Sequence, residues 1–146
     1  MTKPAATLIC ATPDDLPDIA RQVIEAAGAY RLICLSGDLG AGKTALVTAM
    51  VAALGSSDAV SSPTFALIQD YLAPALDPPV IHHIDAYRLQ DLQEALDIGL
   101  PDYLDDPAWT FVEWPEILDP ILPEERLDIH LQILPDSTRE IVFLER

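Results

Sequence analysis

The sequence predicts a three-layer α/β fold, with helices on both faces of a mixed, mainly parallel sheet and an antiparallel hairpin at the C-terminus. Three observations predict it. Short apolar runs at Leu32–Leu35, Val80–Asp85 and Trp109–Glu113 have the continuous hydrophobicity of strands buried on both faces. Segments with helical apolar spacing stand between such runs. Near the C-terminus, Leu127, Ile129, Leu131 and Ile133 alternate with Asp128, His130 and Gln132. That is the pattern of a half-exposed strand, here leading into a Pro135-Asp136-Ser137 turn.

Taken in order, Thr7–Ala11 reads as a first strand. Thr12 follows as a helix N-cap, with Pro13 at the first helical position and Asp14 and Asp15 in the first turn. Leu16, Ile19, Ala20, Val23 and Ile24 recur at helical spacing, and Gly28 stops the helix. After the Leu32–Leu35 strand, Leu46, Val47, Met50, Val51 and Leu54 mark one face of a second helix, ended by Gly55. Phe65–Tyr71 reads as a strand, followed by a Pro-rich loop over Ala73–Pro79 and the strand Val80–Asp85. Asp91–Ile98 is a short helix, Pro101–Asp106 a helical turn, Trp109–Glu113 a strand and Pro115–Leu118 another turn. Leu127–Ile133 and Arg139–Leu144 then form the hairpin. There is no repeat and no linker, so residues 1–146 read as a single domain.

Composition narrows the function. The chain has 146 residues, 50% hydrophobic and 22% charged, a globular rather than a disordered balance. Its formal net charge is −16. Residues 1–60 hold 6 acids and 4 bases, whereas residues 61–146 hold 18 acids and 4 arginines. Affinity for nucleic acid rests on Lys and Arg neutralising phosphates. Strong direct nucleic-acid binding is therefore not expected, and an anionic membrane would repel the chain. Cys10 and Cys34 sit in short apolar runs, as small buried hydrophobes in a reducing compartment. No stretch is long enough for a signal peptide or a membrane span, so the expected location is cytoplasmic.

The chemistry centres on Gly37-Asp38-Leu39-Gly40-Ala41-Gly42-Lys43-Thr44, which matches G-x-x-x-x-G-K-[ST]. In such a P-loop the backbone N–H groups of Asp38, Leu39, Gly40, Ala41, Gly42, Lys43, Thr44 and Ala45 cradle phosphate oxygens at the positive end of the following helix. Lys43 reaches the β- and γ-phosphates, and the Thr44 hydroxyl goes to Mg²⁺. An apolar strand leads in and an apolar-faced helix leads out, the context that this motif requires. A bound triphosphate also needs carboxylates at the metal, and α/β folds place ligands at the C-terminal ends of strands. Asp85 and Glu113 end two apolar strands and are the candidates. Thr64, in Ser62-Pro63-Thr64-Phe65, either brings an oxygen to Mg²⁺ or the γ-phosphate or belongs to a Ser-Pro turn opening a strand. His83 shares a strand face with Asp85 while His82 faces the other way, and both read as hydrogen-bonded structural histidines. His130 reads as exposed, and Trp109 and Phe111 as core. Trp114, at the end of a strand, lies beside the candidate acid Glu113. The chain contains no asparagine, hence no N-K-x-D guanine signature, and ATP is the expected nucleotide.

Four stretches now stand in order: Gly37–Thr44, Ser62–Phe65, His83-Ile84-Asp85-Ala86-Tyr87-Arg88-Leu89 and Glu113-Trp114-Pro115-Glu116. In this combination, from about Thr7 to Leu144, the chain resembles the TsaE family of small bacterial P-loop ATPases needed for threonylcarbamoyladenosine modification of tRNA. The resemblance implies a P-loop NTPase-like fold forming one ATPase domain that binds ATP with Mg²⁺. Lys43 would hold phosphate, Thr44 would ligate magnesium and Thr64 would lie in a switch-like loop. Asp85 would be the Walker-B-like acid, and Glu113 the second acid at the metal or the attacking water. It further implies an ATPase that is weak alone and works with TsaB and TsaD partners. Ala45, Thr48 and Ala86 depart from the family's usual hydroxyl, basic and bulkier apolar residues. Two other readings compete: a small-molecule P-loop kinase and a non-catalytic nucleotide-binding adaptor. A kinase usually carries an arginine-rich lid, and after Glu113 this chain has only Arg126, Arg139 and Arg146. Arg88 can act at the phosphates, contact a partner or pair with a nearby acid.

Overall fold

The computed structural model describes residues 3–60 and 67–145. Strands β1 (Lys3–Cys10), β2 (Leu32–Gly37), β3 (Ile68–Leu72), β4 (Val80–Asp85), β5 (Trp109–Glu113), β6 (Leu127–Ile133) and β7 (Arg139–Glu145) form one sheet in the order β1-β7-β6-β2-β5-β4-β3. The centre, β6-β2-β5-β4, is parallel. The flanking pairs β1/β7, β7/β6 and β3/β4 are antiparallel. Five strands therefore run one way, opposed among the described residues by β7 and β3.

Strand alternation sends side chains to two separate cores. Ile33, Leu35, Phe111, Ile129 and Leu131 meet α1 (Leu16–Ala27) and α2 (Lys43–Ala53) on one face. Leu32, Cys34, Ile84 and Val112 meet α3 (Leu92–Asp97), α4 (Leu100–Asp105) and Leu118 on the other. The apolar stripe of α1 buries Ile19, Ala20, Val23 and Ala27, and that of α2 buries Leu46, Val47, Met50 and Val51. Asp91 caps α3, its carboxylate accepting the Glu94 N–H at 3.0 Å. Trp109 packs against Phe111 with its ring 4.7 Å from the Arg31 guanidinium, as a core residue. Both cysteines are buried.

Some boundaries differ from the sequence expectation. Pro13–Asp15 is a 3-10 turn, and the α-helix begins at Leu16. Pro17 has no N–H to give the Pro13 carbonyl, so the first turn cannot close as an α-turn. The first strand starts earlier, at Lys3, because β7 pairs with it as far as Glu145. The strand expected at Phe65–Tyr71 is seen as Ile68–Leu72, with residues 65 and 66 outside the described residues. The turn after Glu113 is a longer 3-10 segment, Pro115–Ile121.

Candidate active site

The loop between β2 and α2 starts at a position that only glycine can occupy. Gly37 has φ 138°, and a Cβ built there would lie 2.2 Å from the Leu131 carbonyl oxygen on β6. The parallel pairing of Gly37 with Leu131 demands this approach. The chain then turns through Gly40 and Gly42 and enters α2 at Lys43. The Lys43 ammonium is folded back under the loop, donating to the Gly37 carbonyl at 2.6 Å and the Asp38 carbonyl at 2.8 Å. It also lies 4.0 Å from the centre of the Trp114 ring, which packs in turn, tilted, against the Tyr87 ring. Trp114 reaches this place from a left-handed backbone, φ 59°, just beyond β5. Burial pushes Lys43 below the usual lysine pKa, and the carboxylates of Glu113, Glu116, Asp38 and Asp85 pull the other way.

The two strand-end acids arrive from neighbouring parallel strands. Asp85 on β4 and Glu113 on β5 are register partners. Glu113 is buried, and its carboxylate accepts the Thr44 hydroxyl at 2.9 and 3.1 Å. It also accepts from His83 Nε2 at 2.6 Å. Asp85 is half-buried and accepts the Tyr87 N–H at 3.0 Å, fixing the turn after β4. Lys43, Thr44, Asp85 and Glu113 thus line one cleft of about 300 Å³ together with Gly40, Gly42 and Ala45 of the loop and Leu39, Tyr87, Arg88 and Trp114.

A second cleft, of about 230 Å³, lies against the other flank of the same loop and shares Gly42 and Ala45 with the first. Its wall is largely apolar: Cys10, Pro13, Leu16, Ala41, Leu46, Leu131 and Ile141, with Arg139 and Ser137 at its polar side.

The sequence profile of one family, Threonylcarbamoyl adenosine biosynthesis protein TsaE, matches residues 10–141. The chain belongs to the TsaE family. A tRNA threonylcarbamoyladenosine biosynthesis protein TsaE from Bacillus subtilis strain 168 is 36% identical over 131 residues, 90% of this chain and 80% of that protein. The protein of the same name from Streptomyces coelicolor is 37% identical over 126 residues, 86% and 84% of the two chains. Among solved structures, Bacillus subtilis YdiB superposes with a TM-score of 0.76 at 31% identity, covering 99% of this chain and 86% of that one.

The TsaE motifs read in the sequence meet in space where the structure describes them. Lys43, Thr44, Asp85 and Glu113 share the first cleft with Leu39, Gly40, Gly42 and Ala45. Ala41 points to the second cleft, and exposed Asp38 contributes its carbonyl to Lys43. Thr64 lies outside the described residues. Three features were not foreseen. The second cleft joins the N-terminal loop to the hairpin turn, a juxtaposition that only the strand order creates. The Trp114 ring covers Lys43. His83 is a structural histidine as expected, but its partners are Glu113 and Tyr71, so its hydrogen bonds belong to the site. The i, i+2 spacing of His83 and Asp85 was the available signal. His82 lies between Asp70 at 2.7 Å and Asp106 at 3.2 Å on the far face. His130, expected to be exposed, is half-buried and bonded to the Ser36 hydroxyl at 2.9 Å, because β6 is inside the sheet.

Proposed function

We propose that this TsaE chain is a Mg²⁺-dependent ATP-binding and ATP-hydrolysing subunit for threonylcarbamoyladenosine modification of tRNA, acting in the cytoplasm with TsaB and TsaD. The observation that carries the proposal is the convergence of Lys43, Thr44, Asp85 and Glu113 on one cleft at the C-terminal ends of parallel strands. The tRNA pathway follows from the family. A protein with net charge −16 fits a subunit that handles ATP while its partners hold the tRNA.

The donor set suits magnesium. One hydroxyl and two carboxylates offer hard oxygen, and no cluster of three or more His, Cys, Asp or Glu capable of holding a metal occurs among the described residues. Magnesium is commonly held by one or two carboxylates together with phosphate oxygens and water. Thr44, Asp85 and Glu113 would hold the ion, whose chemistry is to neutralise charge on the transferring phosphoryl group. Lys43 adds a buried positive charge beside the loop amides. Glu113, the more buried acid, would stand at the metal or at the attacking water. The apolar second cleft receives the nucleoside, since it continues from Gly42 and Ala45 away from the charged cleft.

Calorimetric titration with ATP, with and without Mg²⁺, tests the proposal. Lys43→Ala is expected to lose roughly 10- to 100-fold in affinity, the worth of a charged hydrogen bond to phosphate. Asp85→Ala is expected to bind ATP with little response to Mg²⁺. A full magnesium response in Asp85→Ala would overturn the metal assignment. Transfer of label from ATP to a small metabolite, without partners, would favour a kinase.

A further inference from the structure

We propose that His83, backed by Tyr71, is the positioning residue for Glu113. The inference deepens the functional reading above and rests on Glu113 being the metal- or water-side acid. Three neighbouring strands supply the parts. Tyr71 on β3 has Ile81 as its register partner, and Glu113 on β5 has Asp85. His83 sits between those two partners on β4, on the same face. Its ring therefore reaches diagonally to a strand on either side: Nδ1 lies 3.0 Å from the Tyr71 hydroxyl and Nε2 2.6 Å from Glu113 Oε2.

The burial makes this line of contacts consequential. Tyr71, His83 and Glu113 are 1%, 0% and 3% exposed. A buried polar group that loses its partner carries the full cost of its desolvation. A carboxylate only accepts, so the Nε2 proton points at Glu113, while Nδ1 faces the Tyr71 hydroxyl, which can donate or accept. His83 at Oε2 and the Thr44 hydroxyl, which contacts both oxygens, together orient the Glu113 carboxylate. Oε1 is the oxygen nearer the Thr44 hydroxyl, at 2.9 Å. Each ring nitrogen of this fully buried side chain has a polar partner, and one of the two partners is a site carboxylate. Groups that orient a metal-side ligand in this way typically contribute 10- to 100-fold.

The test combines variants with a direct view of the proton. His83→Leu keeps bulk and removes both nitrogens. It is expected to lower kcat, and the Mg²⁺-dependent gain in ATP affinity, by roughly 10- to 100-fold. Metal-free ATP binding should stay within about threefold, a change of under 1 kcal/mol. His83→Gln, which can present an amide N–H near the Nε2 position, should recover most of the loss. Tyr71→Phe should show a weaker form of the same defect. In a Glu113→Gln background, His83→Leu should add nothing, since it acts through the group already altered. Nitrogen NMR of labelled histidine should find His83 protonated at Nε2 in the unaltered protein. If Glu113→Gln leaves magnesium dependence and turnover intact, the reading of Glu113 itself fails. If Glu113→Gln is impaired but His83→Leu is not, or the two effects add, the positioning role alone is refuted. Should His83→Leu not fold, Tyr71→Phe and the tautomer decide, and a bare Nε2 or an unchanged Tyr71→Phe overturns the inference.

Discussion

Gly37→Ala is expected to damage stability and the phosphate loop together. Its added methyl would lie 2.2 Å from the Leu131 carbonyl oxygen, where ordinary contact begins at 3.4 Å. One backbone must therefore retreat by about 1.2 Å from that limit. Neither can do so cheaply, because the two residues are register partners in the centre of the sheet. A non-glycine residue at φ 138° costs about 1–3 kcal/mol, and forced overpacking a further 1–3. The expected loss is roughly 2–6 kcal/mol, read from urea unfolding. Gly99→Ala is the control. Gly99 is also left-handed, φ 80° and ψ 24°, but a Cβ there meets nothing within 4 Å. Its loss should be about 1–2 kcal/mol. Because the Gly37 carbonyl holds the Lys43 ammonium at 2.6 Å, Gly37→Ala should also weaken ATP binding, whereas Gly99→Ala should not. Equal stability losses in the two variants would refute the argument from the Leu131 contact.

Further outcomes follow from other parts of the molecule. Asp91→Ala removes the cap of α3 and should cost about 1 kcal/mol in urea unfolding. Asp106 is held below the ordinary aspartate pKa of 3.8, chiefly by the Ala108 N–H and also by His82. A carboxylate with a depressed folded-state pKa stabilises above its unfolded pKa, and that contribution fades as pH falls through the folded value. Asp106→Asn should therefore be less stable than the parent at pH 7, by under about 1 kcal/mol for so exposed a group. The difference should close below pH 3.8, as measured by unfolding across pH. Ala11→Trp, at the second cleft, should weaken ATP by about tenfold or more while leaving inorganic tripolyphosphate unaffected, since only the nucleoside uses that cleft.

Much of the fold was legible because buried strands and helix faces carry local signals. Val80–Asp85 and Trp109–Glu113 could be bounded to the residue, since each is an apolar run ended by an acid. The P-loop and both strand-end acids were legible for the same reason. What depends on which strands are neighbours was not. Asp85 and Glu113 look alike in the sequence as strand-end acids, yet β5 lies inside β4, so Glu113 is buried and Asp85 only half so. The reach of His83 to Tyr71 needs β3 to run antiparallel along β4, which nothing local announces. The second cleft brings Leu16 near Arg139, residues far apart in the chain that meet beside the P-loop. The cap of Trp114 on Lys43 depends on one left-handed residue at the end of β5. The P-loop motif, the strand-end positions and the resemblance to TsaE proteins supplied expected roles for Lys43, Thr44, Asp85 and Glu113, but not these supporting contacts.

Phosphate release from ATP, followed with and without TsaB and TsaD, tests the central claim most directly. The expected result is slow release by the chain alone, stimulation when both partners are added, and loss of that stimulation in Lys43→Ala and Glu113→Gln. Stimulation undiminished in Glu113→Gln, or no partner effect on the unaltered chain, would contradict it.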